Sequence, residues 1–484
     1  MARTIDDSRA RLQAILGPVL AAQTGSPTPA GVAGVGVLQT GDKAQQFLWG
    51  LISETSLYAA RRLPEIADSI VDIDRAMRWG FGWDLGPFEI CDALGVEAMT
   101  RRWTADGRDL PLLFTRLLSS SRKSLYESSA GELSAFDPAS GSLSKVPEPP
   151  GIIVLKSLKE RSQEVARNSG ASLIDLGDGV LCCEFHAKMN AIGDDITGMI
   201  QTGLKRLNTD FDALVVANQA PNFSVGANLM LLLVAAQEQE WDDIHDAVRR
   251  FQNANLALKH APKPVVVAPQ GMALGGGCEI CLHGARVHAA AEAYVGLVEA
   301  GVGLIPAGGG SKEMVIRANE HAAGAEELDL FHAFKPIFET VAMAKISTSA
   351  AEARALGYFR PADLVTMNRD RLAADAKQTA LAMVRAGYRP PAPAEIRVLG
   401  EPFFAAAKLA IHMMLRGEYI TEFDAVVARK LAYVLAGGAL STAQTVSEQY
   451  LLDLERETFV SLCGDRKTQE RIAHTLKTGK PLRN

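Results

Sequence analysis

The chain has 484 residues, 48% of them hydrophobic and 22% charged, which allows two to four domains and is ordinary for soluble globular protein. Its formal charge of −6 gives no case for nucleic-acid binding, and its longest central apolar run, Leu229-Met-Leu-Leu-Leu-Val-Ala-Ala236, falls far short of the ~20 residues of a membrane-spanning helix. Six scattered cysteines (Cys91, Cys182, Cys183, Cys278, Cys281 and Cys463) and an N-terminus without an apolar leader argue against a secreted disulfide framework, so a reducing, cytoplasmic setting is expected.

Residues 1–42 read as an amphipathic helix from Asp7 to Ala22 followed by a turn-rich linker, Gly25-Ser-Pro-Thr-Pro-Ala-Gly31. The glycines of Gly31-Val-Ala-Gly34-Val-Gly36 have the wrong spacing and context for a dinucleotide fingerprint, so no nicotinamide site is assigned there. Residues 43–136 are helical by pattern, with Phe47, Leu48, Leu51, Ile52, Leu57, Tyr58 and Leu63 recurring at the spacing of one buried face. Within them, Asp74-Arg-Ala76 and Gly80-Phe-Gly-Trp-Asp-Leu-Gly-Pro-Phe-Glu89 describe a helix end, a glycine-rich aromatic turn, and a helix starting near Pro87. This run resembles the all-α C-terminal domain of 3-hydroxyacyl-CoA dehydrogenases. The resemblance implies the latter part of a dehydrogenase–hydratase fusion without its NAD-binding half. Residues 137–151, rich in Pro, Gly and Ser, read as a linker and the main domain boundary.

After a short apolar stretch and a charged helix, Lys156 to Asn168, strands and helices alternate. Strands are expected at Ser172–Leu176, Val180–Phe185, Ala213–Ala217 and Pro264–Pro269, and helices at Ile192–Leu207 and Trp241–His260. That order argues for parallel β with helical crossovers. The last strand runs into Met272-Ala-Leu-Gly-Gly-Gly-Cys-Glu279, a glycine turn opening an apolar helix. A second carboxylate, Glu299, lies between glycines in Gly296–Gly310. A helix N-terminus with free N–H groups stabilises developing negative charge, and two carboxylates nearby can move protons.

Three segments resemble the crotonase, or enoyl-CoA hydratase/isomerase, superfamily. Lys188-Met-Asn-Ala-Ile192 is similar to a Lys-x-Asn-Ala-Leu turn. Phe223-Ser-Val-Gly-Ala-Asn-Leu229 is similar to Phe-x-x-Gly-Ala-Asp-Leu, with Asn228 where aspartate is usual. Lys263 to Glu279 is similar to the Lys-Pro…Gly-x-Ala-x-Gly-Gly-Gly-x-Glu block. The resemblance implies a ββα-superhelix core over 152–330. It implies an oxyanion hole from the N–H groups of Ala227 and Gly276, and Glu279 and Glu299 as catalytic carboxylates. Around the substrate and its CoA it places Ala187, Lys188, Asn190, Ala191, Val225, Asn228, Leu229 and Gly275. Hydration of a 2-enoyl-CoA needs one group to activate water at Cβ and one to protonate Cα. Glu279 is the expected base and Glu299 the acid, with the roles open to sharing through one water. Each has a plainer explanation when taken alone: Glu279 also complements a helix dipole, and Glu299 also suits a solvated loop.

Cys278-Glu-Ile-Cys281 has zinc-knuckle spacing but no second pair, so no metal is assigned. Arg249, Arg250, Lys259 and Lys263 are candidates for CoA phosphates or a solvated helix face. Residues 331–484 read as a mostly helical extension, with helices near 346–357, 369–386, 401–416, 421–435 and 444–463, a Pro390–Pro393 linker, and a basic tail. This extension is expected to pack on the N-terminal helical domain. The expected activity is enoyl-CoA hydration in fatty-acid β-oxidation, with no cofactor beyond the substrate's CoA. The alternatives are Δ3,Δ2-enoyl-CoA isomerisation, or a CoA-ester-binding partner subunit for a separate NAD-binding dehydrogenase half. A homo-oligomer is expected, since crotonase-like domains commonly trimerise.

Overall fold

The computed structural model describes residue 5 and residues 7–21, 43–147, 150–323 and 330–484. The Gly25–Gly31 linker and the glycines at 31, 34 and 36 lie outside the described residues. The chain divides into two compact units, Met1–Pro149 and Pro150–Asn484.

The first unit contains helices α1 (Ser8–Ala21), α2 (Lys43–Arg61), α3 (Ile70–Phe81), α4 (Pro87–Leu94), α5 (Val96–Ala105) and α6 (Leu112–Ser119). Its aromatic-glycine turn works as read. Ser69 caps α3 by accepting from the Val71 N–H, Gly82 ends it at φ +67°, and Pro87 opens α4. Asp74 then explains the motif. Its buried carboxylate accepts from the N–H groups of Phe88 and Glu89 and from the Tyr126 hydroxyl at 2.9, 3.1 and 2.7 Å. It thus satisfies the open N-terminus of α4. The expectation of an all-α domain ending in a linker over 137–151 is corrected. Strands β1 (Tyr126–Ser129), β2 (Glu132–Asp137) and β3 (Ser142–Lys145) form an antiparallel sheet. Pro, Gly and Ser here make hairpin turns. Phe136 and Val146 bury into the helical core, which a solvated linker would not do.

The second unit begins with α7 (Leu155–Glu160) and β4 (Glu164–Arg167), so the single charged helix expected over 156–168 is really a short helix and an edge strand. There follow β5 (Ala171–Asp175), β6 (Val180–Phe185), α8 (Asp194–Thr209), β7 (Ala213–Ala217), α9 (Leu229–Gln237) and α10 (Trp241–Lys259). Next come β8 (Val265–Ala268), β9 (Gly271–Leu274), α11 (Gly276–His283), β10 (Arg286–Ala290) and β11 (Ala293–Gly296). Beyond lie α12 (Gly310–Ala323), α13 (Leu330–Ala342), α14 (Ala350–Ala355), β12 (Leu364–Thr366), α15 (Leu372–Arg385), β13 (Glu395–Val398), α16 (Glu401–Arg416), α17 (Glu422–Leu435), β14 (Gln444–Ser447), α18 (Glu448–Cys463) and α19 (Arg466–Thr478).

The main sheet has the order β12-β10-β8-β7-β6-β5-β4. It is parallel from β6 to β12 and antiparallel over β4, β5 and β6. Parallel strands are stable when both faces are covered, which is why these read as unbroken apolar runs. Cys182 and Cys183 illustrate it: the first packs with Leu372, Ala376 and Ala380 of α15, the second with the core on the opposite face. A second layer grows from the same connections. Ile192 bridges Ala227, Ser224 bridges Ala273, and β9 pairs with β11, all parallel. Each of β6, β7, β8 and β10 is therefore followed by a short stretch in a second stack before the chain enters a helix, the repeating ββα course expected of the core.

The C-terminal region belongs to this second unit. Its helix α18 lies against α10 and α12, and α19 lies against α9. Helix α19 was expected to be part of a basic tail, and β13 and β14, which pair antiparallel, were not expected. Pro390 to Pro393 precede β13 without regular structure, as read.

Candidate active site

The ends of the second-layer strands meet at one place. The carbonyl of Gly226 accepts from the Ile192 N–H at 2.8 Å, and the Asn228 N–H donates to the Ile192 carbonyl at 3.2 Å. Strand alternation then turns the N–H of Ala227, between them, to the opposite side. Gly226, at φ +97°, lets this loop touch the next turn: a Cβ there would stand 3.0 Å from the Leu274 carbonyl and 3.3 Å from the Gly276 nitrogen. Gly276 opens α11, so its N–H has no partner within the helix. The structure thus brings Ala227 and Gly276 together, with two backbone donors at adjoining turns.

Glu279 sits in the first turn of α11, fully buried. Its Oε1 accepts from the N–H groups of Gly308 and Gly310 at 2.7 and 2.8 Å. Burial pushes its carboxyl up to about 7, against the opposing pull of those two N–H groups and of the Lys312 charge. Glu299 starts the loop that follows β11. Its Oε1 lies 3.1 Å from the position a Cβ on Gly275 would take. Its Oε2 is out of solvent and has no hydrogen-bond partner among the described residues. Burial first, and the Glu279 charge second, push the Glu299 carboxyl well above the usual range. The charge of Glu279 thus makes ionisation of Glu299 harder, the ordinary effect of one carboxylate on another nearby. Glu279 is held by a distant turn, and the buried Glu299 oxygen is no solvated loop carboxylate.

The remaining expected residues fall around the same turns. Lys188 is exposed, with Ala187 and Ala191 half-buried beside it. Asn190, at φ +50°, donates from Nδ2 to the Asn222 carbonyl at 3.0 Å and leaves Oδ1 buried without a partner among the described residues. Asn228 accepts from the Leu231 N–H at 3.3 Å. The departure from aspartate is thus a cap on α9, which asparagine serves as well. Val225 and Leu229 are half-buried, and Gly275 is buried. Phe251 of α10 lies 3.4 Å from where a Gly276 Cβ would be.

The four basic residues considered for phosphates are engaged elsewhere. Lys259 is buried and donates to Glu313 and Glu448 at 2.7 and 2.9 Å. Arg249 pairs with Asp246, Arg250 with Asp194, and Lys263 donates to the Phe211 carbonyl. All six cysteines are free and buried, and no group of metal-ligating side chains occurs among the described residues. Nor is any described helix long and apolar enough to cross a membrane.

Sequence reasoning missed what braces the two carboxylates. Lys312, fully buried, donates to Glu313 and Glu448 at 2.7 and 2.9 Å, and lies 3.1 Å from His283 Nε2. The His283 Nδ1 faces the Glu279 carbonyl at 2.7 Å, so Nδ1 carries the proton and Nε2 accepts from Lys312. Burial first, and Lys312 second, lower His283 to about 3, and it stays neutral. On the other side, Thr468 of α19 donates to the Gly303 carbonyl at 2.9 Å, fixing the loop that carries Glu299. The triple glycine at 308–310 was the one local signal of this support. Glu448 and Thr468 come from over a hundred positions away and left none.

Residues 176–331 match the family described as "Enoyl-CoA hydratase/isomerase". The chain is 45% identical over 448 residues to "Probable 3-hydroxyacyl-CoA dehydrogenase" of Bacillus subtilis (strain 168), an alignment covering 93% of this chain and 56% of that protein. It is 25% identical over 427 residues to "Putative fatty acid oxidation complex trifunctional enzyme" of Rickettsia felis, covering 88% and 52%. Among solved structures, enoyl-CoA hydratase from Bacillus halodurans aligns at 18% identity over 63% of this chain and all of its own, with a TM-score of 0.43. The chain spans about half the length of the curated relatives it matches. It carries a domain of the enoyl-CoA hydratase/isomerase family at residues 176–331 and is similar, over most of its length, to longer 3-hydroxyacyl-CoA dehydrogenase and fatty-acid-oxidation proteins.

Proposed function

We propose that this chain hydrates 2-enoyl-CoA thioesters to 3-hydroxyacyl-CoA by syn addition of water. The observation that carries the reading is the pair Glu279 and Glu299, one in the first turn of the helix that Gly276 opens and the other with Oε1 3.1 Å from where a Gly275 Cβ would stand, both carboxyls pushed upward. Glu279, near neutral pH, is matched to the work of a base that holds water and takes its proton as oxygen bonds to Cβ. Glu299, whose carboxyl is pushed well above the usual range, is matched to the work of an acid that protonates Cα. The N–H groups of Ala227 and Gly276 would receive the thioester oxygen as it gains negative charge. Exposed Lys188 beside the buried Asn190 suits the polar CoA moiety. The addition moves no electrons to a carrier, so it calls for no redox cofactor. Its 3-hydroxyacyl-CoA product is the class of substrate named for the Bacillus subtilis relative. A dehydrogenase half is accordingly the partner we propose.

The test is the loss of enoyl thioester absorbance with crotonyl-CoA and longer 2-enoyl-CoAs. Hydration is expected. Migration of a 3-enoyl double bond without hydration would favour an isomerase, and binding without turnover a partner subunit. Rate against pH gives a second expected result. The base form of Glu279 is populated as pH rises through about 7, so kcat/KM climbs across that value. It declines at higher pH, where Glu299 loses its proton. A flat profile from pH 5 to 8 would remove Glu279 from the base role.

Gly308→Ala probes the support of Glu279. The added methyl would stand 2.5 Å from Glu279 Oε2 and overlap the Phe251 ring. The expected outcome is a fall in kcat of about tenfold or more from a displaced carboxylate, with a stability loss of ~1–3 kcal/mol from overpacking. Steady-state rates and thermal melts of the same preparation check both.

A further inference from the structure

The turn 308–310 has three N–H groups, and Glu279 takes only two of them. The third belongs to another carboxylate. Glu455 of α18 accepts from the Gly309 N–H at 2.9 Å through Oε2, and from the Lys312 N–H through Oε1. Its side chain is fully buried. The turn is thereby gripped from two sides: successive N–H groups point alternately to Glu279 and Glu455. Neighbouring bonds hold α18 in this pose. Gln252 of α10 donates to the Leu452 and Ala307 carbonyls at 2.8 and 2.7 Å, and Arg456 donates to Gln252 Oε1 at 2.6 Å. A lone buried carboxylate is costly to place, so one whose oxygens both bond a turn carrying the Glu279 donors calls for a reason. Burial and the nearby Glu279 charge push the Glu455 carboxyl well above the usual range, and both of its oxygens are spent on N–H groups of the turn.

We infer that Glu455, supplied by the C-terminal region outside the stretch that matches the family, is a positioning residue for Glu279, acting through the N–H groups of Gly309 and Lys312. The inference rests on the hydratase reading for its kinetic consequence only. A rigid turn keeps the N–H groups of Gly308 and Gly310 aimed at Glu279 Oε1, and those two bonds hold its carboxyl lower than burial alone would. Loosening the turn should let it rise.

The experiment compares wild type, Glu455→Gln and, as a surface control on the next helix, Arg466→Ala. Two readouts are used. One is kcat and KM for crotonyl-CoA across pH. The other is the titration midpoint of the Glu279 carboxyl, followed by carbon NMR with labelled glutamate and assigned by its absence in Glu279→Gln. In Glu455→Gln the Glu279 midpoint is expected to move up by about half a pH unit or more. The acidic limb of the rate profile should move with it, and kcat should fall on the order of tenfold with KM within about twofold. Arg466→Ala should match wild type. A Glu279 midpoint that stays put or moves down, or a loss confined to KM, overturns the inference; a downward move would mark Glu455 as a charge rather than a brace. If wild type hydrates no enoyl-CoA, the hydratase reading falls and the midpoint alone decides the role of Glu455. Should Glu455→Gln fail to fold, Glu455→Asp, one methylene shorter, is read by the same criteria.

Discussion

Glu279→Gln and Glu299→Gln are each expected to lower kcat for enoyl-CoA hydration by ~10²–10⁴-fold, the range of a lost general acid or base, with KM changed by no more than a few-fold. Both substitutions keep shape. A glutamine oxygen at 279 can still accept from Gly308 and Gly310, so the geometry of the turn survives while the group that takes the water's proton is gone. At 299 the amide cannot deliver a proton to Cα. Since the two act on one substrate in one addition, the double variant should lose far less than the product of the single losses. Stability separates this from structural damage. Glu279 has a folded-state carboxyl raised to about 7 from 4.5, so folding takes up a proton between those values and the native state loses stability as pH rises through that window. The ionised form is the destabilising one. Glu279→Gln should therefore melt no lower than wild type at pH 8, and a few kcal/mol of burial penalty should be relieved. Wild-type turnover by either variant would remove that residue from the chemistry, whereas a large drop in melting temperature would show that it holds the fold.

How far the sequence reached follows from the range of the interactions involved. The parallel core was legible because buried strands such as Ala213–Ala217 and Val265–Ala268 are continuous apolar runs. The turns at 226–227 and 275–276 were legible because close approach restricts them to small residues. Partners brought in from far along the chain were not legible. Nothing in Glu448, Glu455 or Thr468 marks them locally, because each looks like an ordinary polar position on an amphipathic helix. Helix α19, Arg-Lys-Thr-Gln-Glu-Arg-Ile-Ala-His-Thr-Leu-Lys-Thr, reads as a solvated tail. It buries chiefly Thr468, Arg471 and Ile472, with Arg471 paired to Asp424 at 2.7 Å. Lys259 misled for the same reason. A lysine near a helix end suggests a phosphate, and only the fold reveals two buried carboxylates against it. In the hairpin of β2 and β3, turn-rich composition was mistaken for a linker because turns within a sheet and turns between domains use the same residues.

Lys312→Met tests the buried network behind the site and carries the largest expected cost in stability. The ammonium serves Glu313, Glu448 and His283 at once. Opposite it, Lys259 bonds the same two oxygens, and Arg317 holds the other oxygen of Glu313 at 3.0 Å. Burying such charges is tolerable only while each is paired. Methionine keeps the stem volume and removes the charge, leaving two carboxylates to share one lysine and leaving His283 Nε2 without its donor. Urea unfolding should show a loss of ~3–5 kcal/mol, the usual result of removing one member of a buried ion pair. Adding Glu448→Gln should recover part of it, because one of the two carboxylates is then neutral. The resulting coupling in a double-mutant cycle reports the interaction directly. The same variant has a second, independent signature. Lys312 helps to hold the Glu279 carboxyl down, so in whatever fraction remains folded the acidic limb of the rate profile should move to higher pH. A loss under about 1 kcal/mol, with no recovery from Glu448→Gln, would mean that Lys259 and Arg317 suffice. The link between the C-terminal helix α18 and the turn bearing the Glu279 donors would then rest on Glu455 and on the Gln252 bonds to Leu452 and Ala307.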